Sequence, residues 1–238
     1  MKRWLFAGVS DKRELILYIC KLLTASGQRV LLVDRTAESK YQYLTRNREA
    51  ALPLIEFCGF DITSGKLITT EEGTGLPEAT RIRDESYDYV LYDYELDQPE
   101  ERGLCSQMDQ FIWVTTYDHY EVERSADWFR QLLRSDPELA GVRVHPVLIR
   151  TVESYLTADY MISLADDLPI EWNTEVACIP WNELNAAIHY ENGHEHMLHI
   201  HRITSSYRRA LISLIIQLTG WTRNETKRAM RSAKRRVI

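Results

Sequence analysis

The chain has 238 residues, of which 45% are hydrophobic and 27% are charged, and its formal net charge is −6. This length suffices for one domain with a full core, and the balance is that of an ordinary globular protein. The net charge gives no general reason to expect nucleic-acid binding, and no apolar run is long enough to span a bilayer. The four cysteines lie far apart in the sequence, which favours buried thiols in a reducing cytoplasm.

The first 36 residues predict a strand, a helix and a second strand. Residues 4–6 form a short apolar run, as a strand buried on both faces requires. Residues 15–23 have the broad apolar face of a helix, which Gly27 ends. Residues 30–33 are again apolar. A helix between two buried strands predicts a right-handed βαβ unit and a parallel sheet.

The turn in this unit, Ala7-Gly-Val-Ser-Asp-Lys-Arg-Glu14, is where a phosphate-binding loop would lie. Such a loop needs glycines, a lysine, and a serine or threonine for Mg²⁺. The segment resembles the opening of the ParA/MinD superfamily of P-loop ATPases, Lys-Gly-Gly-x-Gly-Lys-Thr-Thr, followed by a helix, a glycine and a strand ending in Asp-x-Asp. The match has no gap: Gly8 takes the first loop glycine, Lys12 the loop lysine and Asp34 the first aspartate.

Departures from the family pattern fall on the residues that perform the chemistry. The signature lysine of the family corresponds to Ala7, and its second and third glycines correspond to Val9 and Asp11. The Mg²⁺-binding threonine corresponds to Arg13, and the second aspartate, which orients the attacking water, to Thr36. Each change removes a part of phosphoryl transfer, and the Asp11 carboxylate should repel phosphate. The resemblance therefore predicts the fold and argues against the activity.

The chain continues as alternating strands and helices. Asp93 ends an apolar run, where the family has its Walker B carboxylate, and Pro146 predicts that its own strand lies near a sheet edge or bends. We expect a polar, partly helical segment at 37–53, a strand pair or an edge insertion around Ser64-Gly65 that includes Leu67 and Ile68, and a surface loop at 70–77. The later predicted elements are strands at 87–93, 111–116, 142–149 and 176–181 and helices at 122–133, 158–165 and 207–218.

These patterns predict a single α/β domain with a mostly parallel β-sheet and helices on both faces. We expect the ParA/MinD-like domain at 1–220 and a basic helix or tail at 221–238. The resemblance implies a degenerate nucleotide site without a catalytic residue or metal. Its candidate residues are Gly8, Asp11, Lys12, Arg13, Asp34 and Asp93. We expect no cofactor; the alternative is ATP or ADP bound without turnover, since Arg13 can still pair with a phosphate.

Histidines are concentrated near the C-terminal helix. On a strand, His194 with His196 and His199 with His201 would each share a face, as metal ligands do. The alternative is a solvated polar connection, which we favour. The cluster comprises His189, His194, His196, His199 and His201.

The end of the chain is strongly basic and is predicted to start a new helix at a capping box, Thr222-Arg-Asn-Glu225. Ala229, Met230, Ala233 and Val237 would share one face, in a position and with a charge similar to the C-terminal membrane helix of MinD-type proteins. We expect weak binding to an anionic membrane surface; a disordered tail and an acidic protein partner are the alternatives. The basic residues are Arg223, Lys227, Arg228, Arg231, Lys234, Arg235 and Arg236.

The expected function is that of a non-catalytic pseudo-ATPase, a positioning or assembly scaffold for a membrane-associated pilus or secretion machine, similar to the TadZ/CpaE type. The resemblance implies a homodimer, protein partners of a membrane-associated assembly, no specific nucleic acid, and a cytoplasmic location that is peripheral at the inner face of the membrane. With Ala7 in place of the signature lysine, dimerisation must rest on direct protein contacts. The alternative is an ATPase that is weakly active or activated by a partner.

Overall fold

The computed structural model describes residues 1–44, 54–64, 86–95 and 104–235. Strands and helices alternate through most of them, as the sequence predicts. The strands are β1 (Lys2–Ala7), β2 (Val30–Arg35), β3 (Ile55–Phe57), β4 (Phe60–Ser64), β5 (Tyr89–Tyr94), β6 (Gln110–Thr115), β7 (Arg143–Thr151), β8 (Glu171–Trp172) and β9 (Ala177–Pro180). The helices are α1 (Arg13–Ala25), α2 (His119–Ser135), α3 (Ala158–Ser163), α4 (Glu183–Glu195), α5 (Ser205–Thr219) and α6 (Arg223–Arg235).

The described strands form one sheet in the order β3-β4-β2-β5-β1-β6-β7-β8, with β9 also paired to β7. All pairs are parallel except β3 with β4. The prediction of a mostly parallel sheet is therefore confirmed. Because β1 lies between β5 and β6, the turn after β1 is placed at the centre of the carboxyl edge of the sheet.

Successive residues of β1 belong to two separate cores, one on each face of the sheet. Trp4 and Phe6 pack into a core that also contains apolar residues of α1, α5 and α6. Leu5 and Ala7 pack into the other core, with residues of α2 and α3. A strand points successive side chains to opposite faces, so this alternation means that helices cover both faces, as predicted.

Two expectations for the middle of the chain can be compared with the structure. β7 lies near the edge of the sheet, as expected from Pro146, because it pairs with β6 on one side and with the outermost strands β8 and β9 on the other. Pro146 is tolerated because it lies between the residues that pair with β8, up to Val144, and those that pair with β9, from Val147. Proline lacks the N–H that a ladder needs. A strand pair is present just before Ser64: β3 and β4 pair across a turn at Cys58 and Gly59, and Ser64 is the last residue of β4. The turn is therefore not at Ser64-Gly65 as predicted; Gly65, Leu67, Ile68 and the predicted loop at 70–77 lie outside the described residues.

The basic C-terminal helix packs on the body of the protein. Thr222 and Glu225 form the predicted capping box: the Thr222 N–H donates to Glu225 Oε2 at 2.7 Å, and the Glu225 N–H donates to Thr222 Oγ1 at 3.2 Å. Ala229, Met230 and Ala233 are buried, the last two in the core that contains α1. The expected membrane face is therefore occupied by the protein itself, which corrects our picture of an apolar face free to insert. Val237 and Arg236 lie outside the described residues.

Within the described ranges, no helix has both the length and the apolar character that crossing a membrane would require.

Candidate functional site

The carboxyl ends of three neighbouring strands carry the candidate residues. Asp34 of β2 is paired in register with Asp93 of β5, and Phe6 of β1 lies on the other side of Asp93. The chain leaves β1 at this edge and turns through Gly8 into α1. The predicted site residues Gly8, Lys12, Asp34 and Asp93 are thus brought together by the parallel sheet.

Gly8 is required by the close approach of the turn to β6. A Cβ atom at this position would lie 2.0 Å from the carbonyl oxygen of Val114, in backbone that cannot move aside without disturbing the sheet. Its φ of 157° is also one that other residues rarely adopt. The sequence match at Gly8 therefore has a physical basis that is independent of any ligand.

The side chain of Lys12 is directed into the protein. Its Nζ lies 2.7 Å from Asp93 Oδ1, and both side chains are 1% exposed. The same Nζ donates a hydrogen bond of 3.0 Å to the carbonyl oxygen of Gly8. The ammonium group therefore neutralises the carboxylate of β5 and ties down the start of its own loop.

The second oxygen of Asp93 is bound by a residue that the sequence did not single out. Tyr41, in a 3-10 helix at Lys40–Leu44, donates its hydroxyl to Asp93 Oδ2 at 2.7 Å. Burial and the negative charge of Asp93 raise the pKa of Tyr41 well above its usual value, which keeps the hydroxyl protonated. Asp93 thus has one oxygen on Lys12 and the other on Tyr41.

Asp34 stabilises the backbone of the segment that carries Tyr41. Its Oδ1 accepts from the N–H and the hydroxyl of Thr36, at 2.9 and 2.6 Å, and its Oδ2 accepts from the N–H of Tyr41 at 3.0 Å. Burial raises the pKa of Asp34, although these hydrogen bonds counteract the effect. Asp34 therefore holds the backbone that carries Tyr41, and both positions of the family's Asp-x-Asp pattern contribute to one turn.

Asp11 and Arg13 form a pair of their own. Arg13 Nη2 lies 2.6 Å from Asp11 Oδ2, and Arg13 Nε donates to Asp11 Oδ1 at 2.9 Å. Burial by itself would raise the pKa of Asp11, but the hydrogen bonds and charge of Arg13 outweigh it and hold the pKa below its ordinary value. The expected carboxylate facing the phosphate position is therefore neutralised, and Arg13 is engaged as well.

A magnesium nucleotide does not fit this arrangement. The lysine that would meet its phosphates is bound to Asp93, and both oxygens of the carboxylate that would face the metal are taken. The residue at the Mg²⁺-binding threonine position is an arginine held by Asp11. We therefore assign no catalytic step to these residues.

Glu121 and Arg150, from other parts of the chain, hold the loop through hydrogen bonds. The Ser10 hydroxyl donates to Glu121 Oε2 at 2.5 Å, and the Thr116 hydroxyl donates to the same oxygen at 2.6 Å. Arg150 donates from Nη2 to the carbonyl oxygen of Asp11 at 2.7 Å. Arg150 has a φ of 54°, in the left-handed region, just before the β7–β9 pairing resumes at Thr151. The contacts of Ser10 with Glu121 and of Asp11 with Arg150 join residues over 100 positions apart and have no local sequence signature.

Two clefts meet beside the loop, between α1 and α4. They measure about 410 and 420 Å³, and Arg13, Glu14, His189 and Tyr190 line both. Glu14 is half-buried, and its Oε1 has no hydrogen-bond partner among the described residues. Burial raises the pKa of Glu14 to about 7. The Glu14 side chain, which lines both clefts, therefore changes charge near neutral pH.

The histidine cluster is not on a strand, so the expected pairing of ligands on strand faces is wrong. His189 and His194 belong to α4, and His196 caps that helix in a left-handed conformation. His199, four residues beyond the end of α4, has its Nε2 2.6 Å from Oε2 of Glu195, the last residue of that helix. No group of three or more histidine, cysteine or acidic side chains arranged to hold a metal occurs among the described residues.

Comparison with known proteins places this geometry in a known fold. No protein-family model matches the chain, and no curated protein matches it either. Among solved structures, the chain is similar to a chain of the MinC:MinD cell division protein complex of Aquifex aeolicus, with a TM-score of 0.64 and 16% identity over 93% of this chain and 97% of that one.

Two other solved structures give the same result. MinD of Aquifex aeolicus matches with a TM-score of 0.59 and 15% identity over 93% of this chain and 98% of that chain. A plasmid partition protein of Borrelia burgdorferi, bound to AMPPNP, matches with a TM-score of 0.51 and 13% identity over 91% of this chain and 99% of that chain. At these sequence identities the likeness shows the fold alone. The chain therefore shares the fold of these cell division and plasmid partition proteins.

Proposed function

We propose that this chain is a ParA/MinD-like pseudo-ATPase, a scaffold that positions or assembles protein partners without hydrolysing ATP. The buried ion pair between Lys12 and Asp93 carries the proposal. In this pair the Lys12 ammonium group and the Asp93 carboxylate bind each other. The lysine is then not available to a phosphate, and the carboxylate is not available to a metal. The changes at Ala7, Asp11 and Arg13 act in the same direction.

The energetics of the pair oppose nucleotide binding. For Lys12 to meet a phosphate it must leave Asp93, whose carboxylate would then be buried without its cation. Removing one partner of a buried pair costs about 3–5 kcal/mol. That amount lowers an affinity by about a hundredfold to a few thousandfold. Weak or absent binding of ATP and ADP is the expected result.

The test is a hydrolysis and binding assay on the purified protein. We expect no Mg²⁺-dependent ATP hydrolysis above background, and no ATP or ADP binding by calorimetry in the micromolar range. Arg13→Thr should not restore activity, because the parts of such a site act as a unit. ATP hydrolysis that disappears in Lys12→Met would refute the proposal and favour an ATPase that is weakly active or activated by a partner.

We also propose that the protein forms a homodimer through the carboxyl edge of the sheet. Exposed apolar side chains are concentrated there: Tyr120 at the start of α2, Val152 and Tyr155 after β7, and Trp181 and Leu184 at the start of α4. Tyr155 is 93% exposed. Exposed apolar patches of this kind mark interaction surfaces. Because these contacts are direct, the dimer should not depend on nucleotide.

Light scattering tests the dimer. We expect the same mass with and without ATP, and a shift towards monomer in Tyr155→Ser/Trp181→Ser. Leu54→Ser is the matched control, since Leu54 is exposed next to β3 at the far edge of the sheet. A monomer at all accessible concentrations, or equal effects of the two variants, would contradict the proposed surface.

The finer role in a membrane-associated pilus or secretion assembly is also a proposal, supported by the charge of α6. Its exposed side carries basic residues, while its apolar side is buried. Attraction to an anionic membrane surface would be electrostatic, at about 1 kcal/mol per basic residue near the surface. We expect pelleting with phosphatidylserine vesicles that high salt abolishes. Equal pelleting of Lys227→Glu/Arg231→Glu and of the unchanged protein would refute the membrane role.

A further inference from the structure

One of the two clefts beside the loop is lined mainly by aromatic rings, and we call it the aromatic cleft. We propose that the aromatic cleft binds a small, flat organic cation of the amidinium or guanidinium type, held between these rings and the carboxylate of Glu14. The inference goes beyond the proposed function, because it requires neither ATP nor a second copy of the chain.

The aromatic cleft has the size and the walls of a ligand pocket. It measures about 420 Å³ and lies between α1, α4 and the 3-10 helix at Lys40–Leu44, and ligand pockets measure roughly 300–1,000 Å³. The face of an aromatic ring attracts a cation, and a planar guanidinium-type group also stacks on it. The aromatic residues that line this cleft are Tyr18, Tyr43, Phe57 and Tyr190.

Glu14 provides the negative charge of the aromatic cleft. Its Oε1 is buried and has no hydrogen-bond partner among the described residues, and a polar atom buried in this way costs free energy. Burial accordingly raises the pKa of Glu14 to about 7. Amidinium and guanidinium groups present two parallel N–H donors that match a carboxylate. A ligand with such a group would therefore supply both a donor and a positive charge to Glu14.

The positively charged residues near Glu14 are bound to other groups. Arg13 also lines the aromatic cleft, but its Nη2 lies 2.6 Å from Asp11 Oδ2, so this pair has no net charge. Arg150 lines only the other cleft and donates to the carbonyl oxygen of Asp11 at 2.7 Å. Burial lowers the pKa of His189, so its ring is uncharged at pH 8. The ionised Glu14 carboxylate is therefore open to a positively charged ligand.

The test uses benzamidine as the probe and the full chain as the protein, at pH 8, where Glu14 is ionised. Benzamide is the matched control ligand, because it has nearly the same shape and no charge. We expect calorimetry to show one benzamidine bound per chain, with a dissociation constant below about 1 mM. Benzamide should bind at least about tenfold more weakly, because it cannot form an ion pair with the carboxylate.

Two variants locate the cation, and each has a matched control. Glu14→Gln should weaken benzamidine binding by about tenfold or more, and Tyr43→Ala by about threefold, since Tyr43 lines this cleft only. Glu183→Gln and Tyr160→Ala should bind as the unchanged protein does, because these exposed residues line neither cleft. Circular dichroism verifies each fold, and Glu14→Met replaces the glutamine variant if that one does not fold.

Three results would overturn the inference. Absence of saturable benzamidine binding below about 1 mM would refute the site itself. Equal affinity for benzamidine and benzamide, or undiminished binding in a folded Glu14→Gln or Glu14→Met, would refute recognition by the carboxylate. A loss in Glu14→Gln without any loss in Tyr43→Ala would assign the cation to the other cleft. None of these results bears on ATP hydrolysis, which tests the proposed function separately.

Discussion

Replacing Lys12 by methionine tests the buried ion pair directly. Methionine keeps most of the length of the side chain and removes its charge together with the hydrogen bond to the Gly8 carbonyl oxygen. Both side chains of the pair are 1% exposed, so solvent screens little of the loss, and we expect the free energy of unfolding to fall by about 3–5 kcal/mol. Urea denaturation at pH 7, followed by tryptophan fluorescence, measures the change.

The double variant Lys12→Met/Asp93→Leu distinguishes the pair from simple packing. It removes both charges, and the main remaining defect is the Tyr41 hydroxyl without its acceptor, which costs about 1–3 kcal/mol. The double variant should therefore be more stable than Lys12→Met alone. If Lys12→Met costs less than about 1 kcal/mol, Lys12 is not paired in solution and remains available for phosphate, which would refute the reasoning.

Three other predictions concern the loop, the clefts and the last helix. Gly8→Ala places a Cβ 2.0 Å from the Val114 oxygen, so we expect a loss above about 3 kcal/mol in the same urea assay; a loss below about 1 kcal/mol would contradict the close approach. The pKa of Glu14 is raised in the folded state from 4.5 to about 7, so the folded state binds more protons and stability falls as pH rises from 4.5 through 7; Glu14→Gln should remove this fall and be the more stable protein at pH 8. Met230→Ala should cost about 2–4 kcal/mol because Met230 is buried, whereas exposed Arg231→Ala should change stability by less than about 0.5 kcal/mol; equal effects would mean that α6 is detached.

The fold could be predicted because its signals are local. Short apolar strands, an amphipathic α1 and a glycine after it are readable within 36 residues, and parallel pairing follows from the βαβ order. The requirement for Gly8 is the exception, since it depends on Val114 of a strand that is distant in sequence.

The state of the site depends on tertiary contacts that no local pattern encodes. Tyr41 follows a polar segment without periodicity, and nothing near it predicts a hydrogen bond to Asp93, 52 positions away. The inward direction of Lys12 depends on the same carboxylate. The helix of the tail was predictable, with its cap and its apolar face, but the surface that covers Met230 comes from another element.

The docking of α6 on the body fixes a concentrated positive charge at one place on the surface of the protein. Residues 223–238 carry seven positive charges and one negative charge, and because the total is −6, the rest of the chain carries −12. Because Met230 and Ala233 hold the helix in the core, these positive charges stay in one place. The field of a polyanionic partner should then orient the protein during diffusion, with α6 foremost. Association with such a partner should be fast at low ionic strength and slow steeply as salt is added, because the steering acts over about one Debye length, roughly 10 Å at 0.1 M salt.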